Sequence, residues 1–285
     1  MAELGDFLKA RRGQLLPEAV GIKTYAERRR VPGLRREEVA LLAGISVPYY
    51  TRLEQGQSHR ASPEILNAIA QALCLTESER IHLHTLADAK QKRPGRRPAP
   101  TRVGDATLAL LDALGDTPAL VLGRSTEVLA WNRQGHALYA GHLAFDAPQK
   151  ASTRPNMARL VFLDAHTREL YAAWPTKARA VVGNLQITVA KNADDPGLLQ
   201  LIGDLSVHSP EFAKLWADHR IKTCDVTAYE LRHPLVGALT VSQQTLQSPS
   251  QPDLFIVVST AQAESQTALN LLAQATTPAK THQPV

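Results

Sequence analysis

Two hydrophobic periods divide this chain of 285 residues. Up to about residue 89 the apolar positions recur three and four apart, the spacing of amphipathic helices. Leu4, Phe7 and Leu8 mark a first helix ending near Gly13. Val39, Leu42 and Ala43 predict a second over 36–43, and Tyr50 and Leu53 a third beginning after Ser46. Ile65, Leu66, Ile69, Ala70 and Leu73 stripe a fourth, and a fifth ends near Ala89. Beyond residue 104 helical spacing alternates with short strand-like runs. Leu108, Leu111 and Leu114 predict a helix over 107–114, followed by strand candidates at 118–123 and 127–131. Helical patterns then cover 132–139, 156–164, 168–190, 198–207 and 209–219. Strand-like stretches at 222–232, 237–246 and 254–260 read as an antiparallel meander, and a closing helix over 262–273 precedes a disordered tail. The expectation is an α+β chain: an all-α five-helix domain over 1–89, a linker over 90–103, an α+β domain with a five-stranded antiparallel sheet over 104–275, and a tail over 276–285.

Turn chemistry sharpens one stretch, Leu34–Gly56. Gly44 stands where a helix must stop and the backbone turns left-handed. Ser46 is a natural N-cap, and Pro48 fits the first turn that follows. Small Ala40 sits where the two helices must approach. This is the pattern of a helix-turn-helix, whose second helix enters the DNA major groove; the plainer reading is a helical hairpin. With Tyr50 and Leu53 facing inward, Ser46, Val47, Pro48, Tyr49, Arg52 and Gln55 are left for DNA. Arg35 and Arg36 stand at the N-terminus of the preceding helix, where amides and dipole favour a phosphate. His59 and Arg60 follow in a polar loop placed for the DNA backbone.

Charge agrees with that division. The net charge is +5, with 18 Lys and Arg against 11 Asp and Glu in residues 1–103 and 14 against 16 in the remainder. A basic half joined to a nearly neutral one is the footprint of a DNA-binding module carrying a module with another task. Lys90–Arg102 is basic, rich in Pro and almost devoid of apolar residues, so it reads as an exposed hinge; a minor-groove arm at Arg96-Arg97-Pro98 is the less favoured reading. No apolar run is long enough to span a bilayer, the N-terminus lacks the order of a signal peptide, and Cys74 and Cys224 fall in different halves. A cytoplasmic protein with reduced thiols and no membrane partner is expected.

These residues also carry a resemblance. The helix-turn-helix resembles those of Xre/Cro/cI type, and Arg29–Ser46, RRVPGLRREEVALLAGIS, resembles the MmyB-like transcriptional regulators. The likeness continues through Asn132, Arg159–Trp174, Ser209–His219 and His233–Val241. It departs at Asp164-Ala165, where the family usually has Asp-Pro. Comparison with Xre-type domains implies that Arg12, near the end of the first helix, pairs with Glu54, near the end of the recognition helix. The family implies a PAS-like second domain, and such sheets commonly close over a pocket. Trp131, Tyr139, Phe162, Tyr171, Trp174, Phe212 and Trp216 are candidate lining residues, with Asn132, Arg168, His208 or His233 fixing a polar group. Each aromatic is individually more often core than ligand contact. The resemblance points to an acyl-chain or similarly apolar small ligand, such as a fatty acid. The regulator is expected to read palindromic operator DNA as a homodimer held by its second domain.

No catalytic motif of the G-x-S-x-G, P-loop, H-E-x-x-H or G-x-G-x-x-G kind is present. His82 and His84, two apart on a helix, point to nearly opposite sides, which argues against a metal site. Neither a cofactor, a metal nor an enzymatic activity is expected. The competing reading keeps DNA binding but gives the second domain only dimerisation or protein recruitment, without a ligand.

Overall fold

The computed structural model describes residues 2–22, 33–57, 61–88, 102–192, 194–218, 226–248 and 251–276. His59, Arg60, Cys224, most of the linker and the tail beyond Thr276 lie outside them. The class is α+β: a helical N-terminal region precedes a domain in which helices pack on a five-stranded antiparallel sheet.

Two compact units divide the chain, and they do not follow chain order. One gathers the described residues of 1–96, 182–200 and 210–223; the other those of 97–181, 201–209 and 224–285. Two segments that follow the expected 89/104 boundary in sequence, 182–200 and 210–223, are thus grouped with the first unit. Ile187 packs against the helical core, and the Gln14 side-chain amide donates to the carbonyl and carboxylate of Asp218 at 2.8 and 2.9 Å.

In the first unit α1 (Ala2–Gln14), α2 (Arg36–Leu42), α3 (Val47–Glu54), α4 (Pro63–Ala72) and α5 (Glu77–Asp88) surround a core of Phe7, Leu8, Leu34, Val39, Tyr50, Leu53, Leu66, Ile69, Leu73 and Leu83. Ser62 caps α4, accepting from the Ile65 amide. Thr76 and Glu79 cap α5 reciprocally, the Thr76 amide donating to the Glu79 carboxylate at 2.9 Å. One expected core position differs. Leu42 is 40% exposed, because α2 turns Val39, Ala40 and Ala43 inward instead. His82 is buried edge-on against Phe7, and His84 meets the Asn67 side chain, so each has a structural partner.

The second unit holds α6 (Asp105–Ala113), β1 (Ala119–Leu122), β2 (Val128–Trp131), α7 (Arg133–Ala140), α8 (Met157–Leu163) and α9 (Ala165–Leu170). Further helices are α10 (Trp174–Lys191), α11 (Pro196–His208) and α12 (Pro210–Asp218), before β3 (Val226–His233), β4 (Gly237–Ser248), β5 (Gln251–Ala261) and α13 (Gln266–Thr276). The sheet order is β2-β1-β5-β4-β3, antiparallel throughout. Tyr229 pairs with Val241 and Leu231 with Leu239, putting buried side chains opposite one another across β3 and β4. Leu111 of α6 packs with Ala119, Val121 and Leu254 of the sheet. Gly135 lets α7 lie on β1, since a Cβ there would collide with the Ala119 carbonyl.

The long helix expected over 168–190 is broken. Tyr171 is extended and bridges Leu231, and the Ala172 amide donates to the Glu230 carbonyl at 3.0 Å. Pro175 then sits at the start of α10, where it costs no hydrogen bond. At Asp164-Ala165 the expected family proline is missing, yet α9 is capped: the Asp164 carboxylate accepts from the Thr167 amide and hydroxyl, both at 2.7 Å.

Candidate nucleic-acid interface and ligand-binding domain

The helix-turn-helix is built from its turn outward. Gly44 has φ +65°, and the Ile45 amide closes back on the Ala40 carbonyl at 3.0 Å, ending α2. Ser46 Oγ then accepts from the Tyr49 amide at 3.3 Å and starts α3, with Pro48 in its first turn. Tyr50 and Leu53 face the core. Ser46, Val47, Pro48, Arg52 and Gln55 are exposed, and Tyr49 is half-buried. The six residues expected to face DNA thus share the solvent side of α3 and its N-cap.

At the end of α3, Glu54 is a buried carboxylate held by two arginines. Arg12 Nε and Nη2 donate to its two oxygens at 2.8 and 2.9 Å, a bidentate pair. Arg36 Nε and Nη2 reach Glu54 Oε1 at 3.0 and 2.8 Å. Arg12 Nη1 also donates to the Leu34 carbonyl at 2.8 Å. Burial pushes the Glu54 carboxyl up, but hydrogen bonds and charge from Arg12, then Arg36, outweigh it and hold its pKa below the ordinary value. One carboxylate therefore ties α1, α2 and α3 together. Gly5 belongs to the same joint, because a Cβ there would strike the Glu54 carbonyl.

The expectation for Arg36 needs amendment. Its guanidinium is drawn onto Glu54, a partner the sequence reading did not give it. With 42% of its side chain exposed, one side of the group still faces solvent. Arg35 is half-buried at the N-cap of α2, its amide donating to the Glu38 carboxylate at 2.6 Å.

In the second unit the expected ligand-contact residues fall into separate groups. Asn132 is used by the fold. Its Oδ1 accepts from the amides of Ala119 and Gly135 at 3.0 and 2.8 Å, and its Nδ2 donates to the carbonyls of Thr117 and Gly115 at 2.8 and 3.3 Å. An amide has two donors and two acceptor sites, so none is left for a ligand. His233 is likewise engaged: Nε2 meets the Ala137 carbonyl at 3.0 Å and Nδ1 accepts from the Leu235 amide at 3.3 Å. Burial lowers its pKa below the ordinary imidazole value. His208 is exposed and bonds the Asp204 carbonyl. Phe212 and Trp216 stack on each other and belong to the first unit.

The remaining aromatics form two groups. Trp174 packs edge-on against Phe162, donates to the Val161 carbonyl at 2.7 Å and carries the Arg168 guanidinium 4.1 Å above its ring. Tyr171 and Tyr229 meet edge-on, with Lys177 beside both rings, a residue that sequence reasoning passed over. Tyr139 reaches Ser259 and Gln243 from α7.

A cavity of about 420 Å³ lies elsewhere, along β2 and α6. Leu108, Leu129, Trp131 and Phe145 supply apolar surface, and Arg102 and Arg154 stand among its lining residues. Of the eleven expected contacts only Trp131 belongs to it. Its indole N–H is taken by the Phe145 carbonyl at 2.8 Å, so the ring presents a face. Beside Trp131, the sequence carried one further signal for this site, Leu108 on the apolar face of α6.

Among the described residues, no helix is long and apolar enough to cross a membrane. A capped helix-turn-helix with an exposed polar face, followed by an α+β domain with an apolar cavity, defines a DNA-binding transcription regulator carrying a ligand-binding domain. Comparison with known families is specific. Residues 103–275 match the MmyB-like transcription regulator ligand binding domain, and residues 3–83 match a helix-turn-helix domain. The chain belongs to the MmyB-like transcription regulators. No curated protein matches it.

Proposed function

We propose that this regulator works in the cytoplasm as a homodimer on palindromic operator DNA, and that a small apolar ligand of acyl-chain type in its second domain alters DNA affinity. The solvent-facing set on α3 carries the DNA half of this reading: Arg52 presents a planar fork suited to guanine N7 and O6, and Val47 and Pro48 suit a thymine methyl or sugar. Arg35 and Arg36 supply phosphate contacts beside it. His59 and Arg60 extend these contacts to the DNA backbone. Two recognition helices must stand about 34 Å apart to read successive major grooves, and the linker sequence, polar and almost without apolar residues, offers no surface to hold that distance. The second domain therefore carries the dimer contact. The apolar cavity along β2 and α6 supports the ligand half, and Arg102 and Arg154 in its lining, the latter held through Nε by the Pro148 carbonyl at 2.9 Å, favour a molecule with an anionic end. A ligand shifts DNA affinity by its different affinity for two dimer arrangements. The test is extraction of the purified full-length protein and mass spectrometry of what is released, followed by operator titration with and without it. An apolar carboxylic acid that changes operator affinity supports the proposal. A protein that yields no small molecule and still dimerises and binds operator favours the reading in which the second domain only pairs or recruits a protein.

A further inference from the structure

Among the described residues Lys177 has no counter-ion, in an interior where lysine is seldom found without one. It lies on α10 and is 7% exposed. Its ammonium nitrogen sits 4.8 Å from the ring centre of Tyr229, on β3, and 5.3 Å from that of Tyr171, in the extended break before α10. It donates one hydrogen bond, to Gln243 Oε1 on β4 at 2.8 Å. Gln243 passes the chain on to the Tyr139 hydroxyl of α7 at 3.2 Å, and that hydroxyl meets Ser259 Oγ of β5 at 2.5 Å. Among the described residues, the groups against the amine are two phenol rings and an amide, none of them charged at neutral pH. Among the described residues, the buried Tyr171 hydroxyl has no hydrogen-bond partner.

Such surroundings are an expensive place to keep a cation. The faces of the two rings offset part of that cost. Burial still prevails, lowering the Lys177 pKa to about 8 with no charged group opposing it. At pH 7 roughly one tenth of the side chain is then the free amine, against about one in 2,500 for an ordinary exposed lysine. A desolvated lysine in an apolar pocket is the usual form of a nucleophilic amine.

We propose that Lys177 is a covalent binding site for carbonyl compounds, condensing reversibly with an aldehyde to form an imine. The amine lone pair attacks the carbonyl carbon and a C–N bond forms. The carbonyl oxygen gains protons and leaves as water, and the lysine nitrogen ends doubly bonded to the former carbonyl carbon. Every atom is supplied by amine and aldehyde; no redox step occurs. The unpartnered Tyr171 hydroxyl, on a ring beside the amine, is a proton donor for the departing oxygen. This site lies apart from the cavity along β2 and α6, and it stands whether or not that cavity takes an acyl ligand.

The test uses the full-length protein with n-butanal and sodium cyanoborohydride at pH 7, the reductant delivering hydride to the imine carbon and fixing it as a secondary amine. Peptide mapping then compares Lys177 with the exposed Lys9, Lys150 and Lys191. Labelling of Lys177 at least about tenfold ahead of these is expected, after discounting the free-amine ratio for restricted access. Its lead should shrink at pH 10, where every lysine deprotonates. Labelling of Lys177 no faster than the exposed lysines, or only after unfolding in urea, would overturn the proposal. Because the comparison is internal to the wild-type chain, it needs no folded Lys177 variant. Tyr171→Phe adds a second reading: labelling slowed several-fold at an unchanged Tm supports the site as drawn.

Discussion

Replacing Arg12 with alanine tests the joint that positions the recognition helix. Arg12→Ala removes two hydrogen bonds from the Glu54 carboxylate and one from the Leu34 carbonyl. The Glu54 side chain is only 1% exposed, so water cannot replace what is lost. Leaving a buried charge without its partner costs about 3–5 kcal/mol. Here Arg36 remains on Oε1 and neutralises part of the charge, which places the expected loss near the lower end, about 3 kcal/mol. The pH dependence has a definite sign. The folded-state pKa of Glu54 lies below its unfolded value, so its stabilisation is present above the ordinary carboxylate pKa. It is lost as pH falls through the folded value. Without Arg12 the burial penalty is less opposed, the Glu54 pKa rises, and acid sensitivity begins at a higher pH. Calorimetry of the full-length protein between pH 4 and pH 8 reads both effects in the transition of the helix-turn-helix half. A loss below about 1 kcal/mol at pH 7, the level of an exposed pair, would refute the claim that this carboxylate holds three helices together.

Three further outcomes are expected. Arg36→Ala should flatten the dependence of log K on log salt by about one, as loss of one phosphate contact does, while costing about 1 kcal/mol of stability because its side chain is 42% exposed; an unchanged salt slope would leave Arg36 with its structural task alone. Arg52→Ala should cost roughly 1–3 kcal/mol in operator binding and relax one position per half-site; selection from random DNA that returns the wild-type motif would remove Arg52 as a base reader. Asn132→Ala strips partners from the buried amides of Ala119 and Gly135, so melting should show a loss of about 2–6 kcal/mol, two unsatisfied donors at about 1–3 kcal/mol each; a near-neutral result would return Asn132 to the candidate ligand contacts.

Local chemistry settled much of this molecule before any folding was considered. Gly44, Ser46 and Pro48 dictate a helix stop, a cap and a start within five residues, and the structure has all three. Ser62-Pro63 and Thr76 with Glu79 likewise begin α4 and α5. Alternating apolar runs marked the three long strands of the meander, because a strand with one face buried repeats every two residues. What escaped was decided by partners distant in sequence. Tyr171 is extended because Leu231 offers it a bridge; helical spacing on either side concealed the break, and Pro175 was the local sign of it. Asn132 looked available to a ligand until Gly115, Thr117, Ala119 and Gly135 converged on its amide. Arg36 belonged to DNA until Glu54 was brought beneath it. Lys177 drew no notice because a lysine in a helical run is ordinarily a solvated one; only the closing of β3 and β4 over α10 left it among tyrosines. The sequence by itself determined where the chain turns and which faces are apolar, since those follow from backbone conformation and periodicity. Which polar group meets which, and so which side chains remain for DNA or a ligand, was decided by tertiary structure alone, because desolvation and hydrogen-bond satisfaction depend on neighbours that spacing does not reveal.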